Sequence, residues 1–315
     1  MQYIQQQELR GYVRQFCEDI RQSYHIDPKQ FELANVKRGL RNADGTGVMA
    51  GITTIGSVQG YQMIDGAPVP MHGHLYYRGI DLGDIIENHV KNGDFGYEEV
   101  SYLLLIGKLP TRTQLDQYHR ALAVARRLPD GFTEDMILKA PSKNVMNKLS
   151  RAVLALYSYD PNPDDTSTEN VVRQSMELIA RLPVIVAHAY AVKRHYYDGQ
   201  SLYLHVPQEH MSLAENFLHM LRRDNQFTPE EAHLLDLMLT IHAEHGGGNN
   251  SAFTCRVLSS TGTDTYGSIS GAISSLKGPL HGGANQKVME MFQDVREHAV
   301  DPASDASVAD YLRLV

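Results

Sequence analysis

The spacing of apolar residues changes twice along the chain, and each change marks a different kind of structure. Ile4, Leu9, Tyr12, Val13, Phe16 and Ile20 recur at intervals that fall on one helical face, which predicts an amphipathic helix over residues 4–20. Between Asn42 and Gly79 that period disappears. The stretch is dense in glycine and short β-formers, Asp65-Gly66 is a turn dipeptide, and one or two small hairpins are expected there. It is the only convincing strand content in the sequence.

Beyond Gly79 a 3.6-residue period takes over. The stretch "YEEVSYLLLIGKLPT" predicts a helix from about Tyr97 to Gly107, with Pro110 preventing continuation. Three later helices are announced by capping boxes, Thr166 with Glu169, Ser212 with Glu215 and Thr228 with Glu231, and Pro229 sits at the first helical position of the last. The segment "YDPNPDDTSTEN" reads as a surface excursion between helices. A helix of small residues is expected from about Asp264 to Lys277, thin enough to pack close to its neighbours, with Gly278 as its cap. The next helix starts near Asn285, with Val288, Met289, Phe292 and Val295 on one face. No internal repeat or βαβ alternation is present, so the fold class is mainly α, a large helical domain with a small N-terminal β-hairpin region.

Composition narrows the partners. The chain has 315 residues, 42% of them apolar, and a net charge of −8 with no clustered Lys/Arg surplus, which argues against a nucleic-acid partner. Cys17 and Cys255 are far apart and in no metal-ligand spacing, so a disulfide framework is not expected and a reducing cytoplasmic setting fits. The N-terminus lacks an apolar core and carries Glu8, Glu18 and Asp19, against a secretory or transit signal. The apolar run "LPVIVAHAYAV" is interrupted by Pro183 and His188 and reads as too short for a membrane span.

Candidate chemistry gathers at two histidine loops. His242 and His245 are expected in the last turn of the helix opened by Thr228, just before "GGGNN", where glycines allow close approach and Asn249 and Asn250 offer amide donors. His242 reads as a helix-end histidine satisfied by a carbonyl, whereas His245 reads as a ligand-facing one. His281, in "GPLHGGANQ", lies just before a helix N-terminus, where the dipole favours a neutral ring able to donate from one nitrogen. Such a ring can polarise a carbonyl for enolisation, or it can simply tie the turn together. "HAEH" lacks the i, i+4 spacing of a zinc pair, and the glycine run lacks the Lys-Ser/Thr of a phosphate loop, so no metal is expected.

Taken in order, "YYRGIDLGDII", "EEVSYLLLIGKLPT" and "LTIHAEHGGGNNSAFTCRVLSSTGTDTYGSISGAISSLKGPLHGGANQKV" resemble the citrate synthase family from Gly51 onward. The resemblance implies a homodimeric, mostly helical enzyme that condenses acetyl-CoA, as cosubstrate, with oxaloacetate and hydrolyses the citryl thioester, with no permanently bound cofactor or metal. By motif, His281 would stabilise the enol of the thioester, and His245 would bind oxaloacetate with help from Asn249. It also implies a large dimerising domain over 1–280 and the beginning of a smaller helical domain over 281–315. The family's aspartate base, its "GFGH" histidine and its carboxylate-clamping arginines match nothing in the sequence. Asp294, Asp301, Asp305 and Asp310 read as solvated helix ends, and the chain alone is expected to be inactive. A 2-methylcitrate synthase using propionyl-CoA and a non-catalytic dimerising fragment are the alternatives that stay open.

Overall fold

Two pairs of positive-φ residues shape the sheet. Asp65 and Gly66, at φ 50° and 80°, form the two-residue turn between β1 (Gly56–Ile64) and β2 (Ala67–Tyr77). Arg78 and Gly79, at φ 50° and 85°, do the same between β2 and β3 (Ile80–Asp81). Both match the turn whose twist suits adjoining antiparallel strands. The register runs from Ile64↔Ala67 to Gly56↔Tyr77, with one irregularity between Gln59 and Tyr61. Arg78 is held in its left-handed conformation from outside: its N–H donates to Ile55 O at 2.8 Å and its Nη2 to Leu104 O at 2.7 Å.

The computed structural model describes residues 27–33, 40, 42, 46–48 and 53–314, so the helix predicted over 4–20 and Cys17 lie outside the described residues. Two compact units, 1–49 and 50–315, divide the chain. In the first, the described residues comprise α1 (Pro28–Leu33) and a turn in which Val48 N donates to Leu40 O.

The second unit holds the sheet and the other helices. After β3 come α2 (Leu82–Asn92), α3 (Tyr97–Ile106), α4 (Arg112–Ala125), a π-helical turn (Thr133–Leu138), α5 (Val145–Leu156) and α6 (Thr168–Asp198). They are followed by α7 (Leu213–Leu221), α8 (Pro229–Ile241), α9 (Asn250–Ser259), α10 (Thr265–Leu276), α11 (Ala284–His298) and α12 (Asp305–Leu312). The mainly helical class with a small hairpin region is what the sequence pattern predicts.

The capping boxes of α7 and α8 form as expected, and a further one joins Thr111 to Gln114 on α4. The box assigned to Thr166 does not form. Ser167 is the N-cap of α6, its side chain accepting from Asn170 N, and the Asn170 amide donates to Asn162 O and Asp165 O instead of reaching back. Nor does Pro183 interrupt α6, which runs unbroken for 31 residues. By length and composition that helix could cross a membrane, but 44% of its most apolar window is buried inside the fold. Leu178, Val184, Ile185 and Val192 are buried, and α4, α5, α7 and α10 pack around it, which makes α6 the core helix.

Small residues let α10 approach its neighbours. Ser150 Oγ on α5 lies 2.9 Å from Ser270 Oγ and 2.8 Å from Ser274 Oγ, and a Cβ on Gly271 would stand 2.3 Å from Leu258 Cδ1 on α9. α9 itself is absent from the sequence prediction: none of its residues is fully buried, so no apolar stripe announces it.

The "YDPNPDDTSTEN" segment is less superficial than its composition suggests. The Asp160 carboxylate, 1% exposed, accepts from Arg173 Nη2, Gln174 Nε2, Tyr266 Oη and Asn162 N. Burial alone would raise this carboxyl, but those donors, Arg173 first among them, outweigh it and hold it at about 2. The folded value lies below the ordinary 3.8, so the stabilisation, about 2 kcal/mol, is present above pH 4 and is lost as pH falls from about 4 to about 2. Asp160→Asn should cost about 2–3 kcal/mol at pH 7, with the difference from the parent shrinking at pH 2–3. Urea denaturation at the two pH values checks both the size and the sign.

Candidate active site at the two histidine loops

The site begins with a helix end. The last carbonyls of α8 have no donor within the helix, and the hydroxyl of Tyr77, a fully buried residue at the end of β2, lies 2.9 Å from Thr240 O and 3.0 Å from Ile241 O. Glu244 N donates back to the same hydroxyl at 3.4 Å. α8 therefore stops at Ile241. His242 is its C-cap, with Nδ1 2.7 Å from Met238 O, the carbonyl-satisfied role its position predicts. His245 is not in the last helical turn, as the sequence pattern suggested; it lies beyond the helix, in an exposed loop.

Close approaches hold that loop in place. Glu244 passes so near β1 that a Cβ on Gly56 would stand 2.6 Å from its Cγ, and its Oε1 accepts from Gly246 N. Gly246 takes φ 97°, a conformation suited to glycine. The chain then reaches Asn249, the N-cap of α9, whose Oδ1 accepts from Ser251 N at 2.7 Å and Ala252 N at 3.0 Å. With Oδ1 turned into the helix, Nδ2 faces outward and donates to His245 Nε2 at 2.7 Å. The His245 ring proton is thereby placed on Nδ1.

The second loop meets the same helix turn. His281 N donates to Gly278 O at 3.0 Å and Gly282 N to Leu276 O at 2.8 Å. A Cβ on Gly282 would stand 2.4 Å from Leu276 O, and one on Gly283 would stand 2.8 Å from Pro279 Cα. These glycines serve the tightness of the turn itself. His281 Nε2 lies 2.9 Å from Ser251 Oγ, and Asn250 Nδ2 donates to Ser275 Oγ at 3.2 Å, tying the first turn of α9 to the end of α10. A hydroxyl donor at that contact would put the ring proton of His281 on Nδ1, the tautomer that can polarise a carbonyl through that nitrogen.

All three residues singled out by the sequence, His245, Asn249 and His281, thus converge on the first turn of α9. Asn249 is committed to capping and to His245. Ser251 and Tyr77 escaped the sequence reading; the Asn-x-Ser order at the start of a helix was the only local signal for the former, and nothing local marks the latter. The carboxylates near the end have partners of their own: Asp294 accepts from Tyr311 Oη at 2.6 Å, Asp310 pairs with Arg313, and Asp301 accepts from Ala303 N.

Tyr77→Phe should leave Ile241 O without its donor and Thr240 O with only the long contact from Ala243 N, and cost about 1–3 kcal/mol, with faster amide hydrogen exchange over residues 244–248. Unchanged exchange there would separate the loop from the phenol. Ser251→Ala should redistribute the His281 ring proton between its two nitrogens, read from the ring ¹⁵N shifts, while circular dichroism stays unchanged.

The chain matches the family model "Citrate synthase, C-terminal domain" over residues 42–315. It is 37% identical over 236 residues to a citrate synthase of Haloferax volcanii, covering 73% of this chain and 58% of the relative. To 2-methylcitrate synthase 1 of Corynebacterium glutamicum it is 32% identical over 267 residues, covering 83% and 62%. Its fold is similar to that of a Thermoplasma acidophilum citrate synthase solved as a ternary complex with carboxymethyl coenzyme A and oxaloacetate, with a TM-score of 0.65, 25% identity, and coverage of 81% of this chain and 59% of that one. The chain spans about 60% of the length of the curated relatives it matches.

Proposed function

The chain belongs to the citrate synthase family, and we propose that its two histidine loops form the electrophilic half of a site that condenses an acyl-CoA with oxaloacetate. The observation that carries this reading is the shared anchorage of both imidazoles. Each is held through Nε2 by the first turn of α9, and with Asn249 and Ser251 as the donors both ring protons would lie on Nδ1.

In this reading His281 Nδ1–H donates to the thioester carbonyl oxygen, where negative charge develops as the acyl carbon beside it loses a proton. His245 Nδ1–H donates to the keto oxygen of oxaloacetate. The enol carbon attacks that keto carbon, a carbon–carbon bond forms, and the new alkoxide takes up a proton. Water then cleaves the thioester and releases CoA. No step calls on a bound metal or prosthetic group. The first proton needs a carboxylate base. Glu244 is tied to Gly246 N, and Asp294, Asp301 and Asp310 to partners of their own, so none of these four is assigned as the base.

Acetyl-CoA is the proposed acyl donor and citrate the product, a reading supported by the citrate synthase relative; propionyl-CoA, the donor that a 2-methylcitrate product would require, differs by one methylene, worth about 1–3 kcal/mol in a pocket. The proposal extends to a cytoplasmic homodimer serving the tricarboxylic acid cycle. Residues 1–280 would form the large dimerising domain and 281–315 the beginning of the smaller one, a division supported by the packing of α11 on α12.

The test is thiol release from acetyl-CoA and propionyl-CoA, with and without oxaloacetate, by the chain alone and by a form extended beyond Val315. Oxaloacetate-dependent release is expected from the extended form, falling about 10²–10³-fold in His281→Ala. His245→Ala should weaken oxaloacetate binding about 10–100-fold. A dimer by sedimentation that binds no oxaloacetate in either form would overturn the enzymatic reading in favour of a structural one.

A further inference from the structure

Alongside α8, the N-terminus of α3 is built without a side-chain cap of its own. Its N-cap residue is Gly96, and the missing acceptor comes from another helix: Asp236 of α8 takes Gly96 N at 2.7 Å and Tyr97 N at 3.2 Å. A Cβ at that position would stand 2.7 Å from His89 Cδ2, so any larger residue would have to displace the His89 ring. His89, from α2, places Nε2 3.3 Å from Glu99 Oε1, an ion-pair distance, without hydrogen-bond alignment. Phe95 and His233 stack 4.3 Å apart on the flank.

Beside this junction lies a cavity of about 270 Å³ whose apolar wall is Ile86, Val90, Leu234 and Leu237 and whose polar groups come from His89, Asp236 and Thr240. Three of the groups that line it leave its polar side incomplete. Thr240 is 2% exposed, lines the cavity, and its Oγ1 has no hydrogen-bond partner. Asp236 is 4% exposed and faces no cation at ion-pair distance among the described residues; burial first, and then the charge of Glu98, push its carboxyl up to about 6 despite the two amides it accepts from. His89, which has Glu99 at ion-pair distance and its ring raised above the ordinary value by it, also lines the cavity, and both its ring nitrogens lack a hydrogen-bond partner. No group of three or more His, Cys, Asp or Glu able to hold a metal occurs among the described residues.

We infer that this cavity is a binding site for a short aliphatic primary ammonium ion, its charged end between the Asp236 carboxylate and the Thr240 hydroxyl and its alkyl chain against Ile86, Val90, Leu234 and Leu237. A protonated amine supplies three donors and a positive charge to a site that has spare acceptors and an uncompensated carboxylate. The volume suits a ligand of a few carbons. The site is separate from the histidine loops and does not rest on their reading.

The test uses 3-methylbutylamine as probe, with 3-methylbutanol and 3-methylbutanoate as the uncharged and anionic probes of the same shape, followed by calorimetry and thermal shift at pH 7.5. Saturable binding of the amine at least tenfold tighter than of the alcohol is expected, with no binding of the acid. Thr240→Val, which preserves shape and leaves the α3 cap intact, should weaken the amine about five- to tenfold. Asp236→Asn should remove the preference for amine over alcohol, and where that variant folds poorly, Val90→Phe at the rim should block all three probes while leaving oxaloacetate binding unchanged. Equal binding of amine and alcohol, amine affinity unaffected by Thr240→Val, or no saturable binding of the amine would overturn the inference.

Discussion

A single buried phenol decides where the candidate site begins. The end of α8 presents carbonyls that no helical amide can reach, and Tyr77 meets two of them from the end of a strand 163 residues earlier. Without a donor there, the helix end would turn to water and its loop would have no fixed exit. With the donor in place, Glu244 N returns to the same oxygen and the chain is aimed past β1, where only a glycine at position 56 leaves room for the Glu244 stem. From that point Asn249 starts α9, and the cap both begins the helix and holds His245. The hairpin therefore contributes to function through packing, although none of its residues has a chemical role in the proposed reaction.

What could be read from the sequence follows from which signals are local. α3, the start of α8 and the Asp65-Gly66 turn carry their periodicity and punctuation within a few residues and form where expected, whereas α8 stops at Ile241, short of the His245 its pattern reached. α9 was missed because its start depends on one asparagine cap and its residues, half-buried or exposed, leave no stripe. Pro183 misled because an interior proline costs one hydrogen bond and some strain, a loss that burial along a 31-residue core helix outweighs. In the site, histidines amid glycines were conspicuous, but the reason for the glycines was not. Around His281 they relieve contacts with the chain's own backbone at Leu276 and Pro279, and a ligand has no part in that requirement. Ser251 and Tyr77 act across the fold, and such partners leave no trace in local spacing.

Two aspartates show how far one side chain can be driven in opposite directions by its surroundings. Asp160 and Asp236 are both buried, and burial is the largest raising influence on each. Asp160 has a guanidinium, an amide side chain, a phenol and a backbone amide directed at it, and it settles at about 2. Asp236 has two backbone amides and the like charge of Glu98, and it settles at about 6. The difference lies in the partners supplied. The first carboxylate stitches a loop and α10 to the core helix and is complete as it stands. The second caps a helix, which uses one lone pair on each oxygen, and keeps capacity to accept more. A folded chain that leaves such capacity beside a cavity, with an unpartnered hydroxyl on the same wall, carries a desolvation cost that a donor of the right shape and charge would offset. The Asp236 carboxylate, with no cation at ion-pair distance among the described residues, is what selects a cation over an anion of equal size.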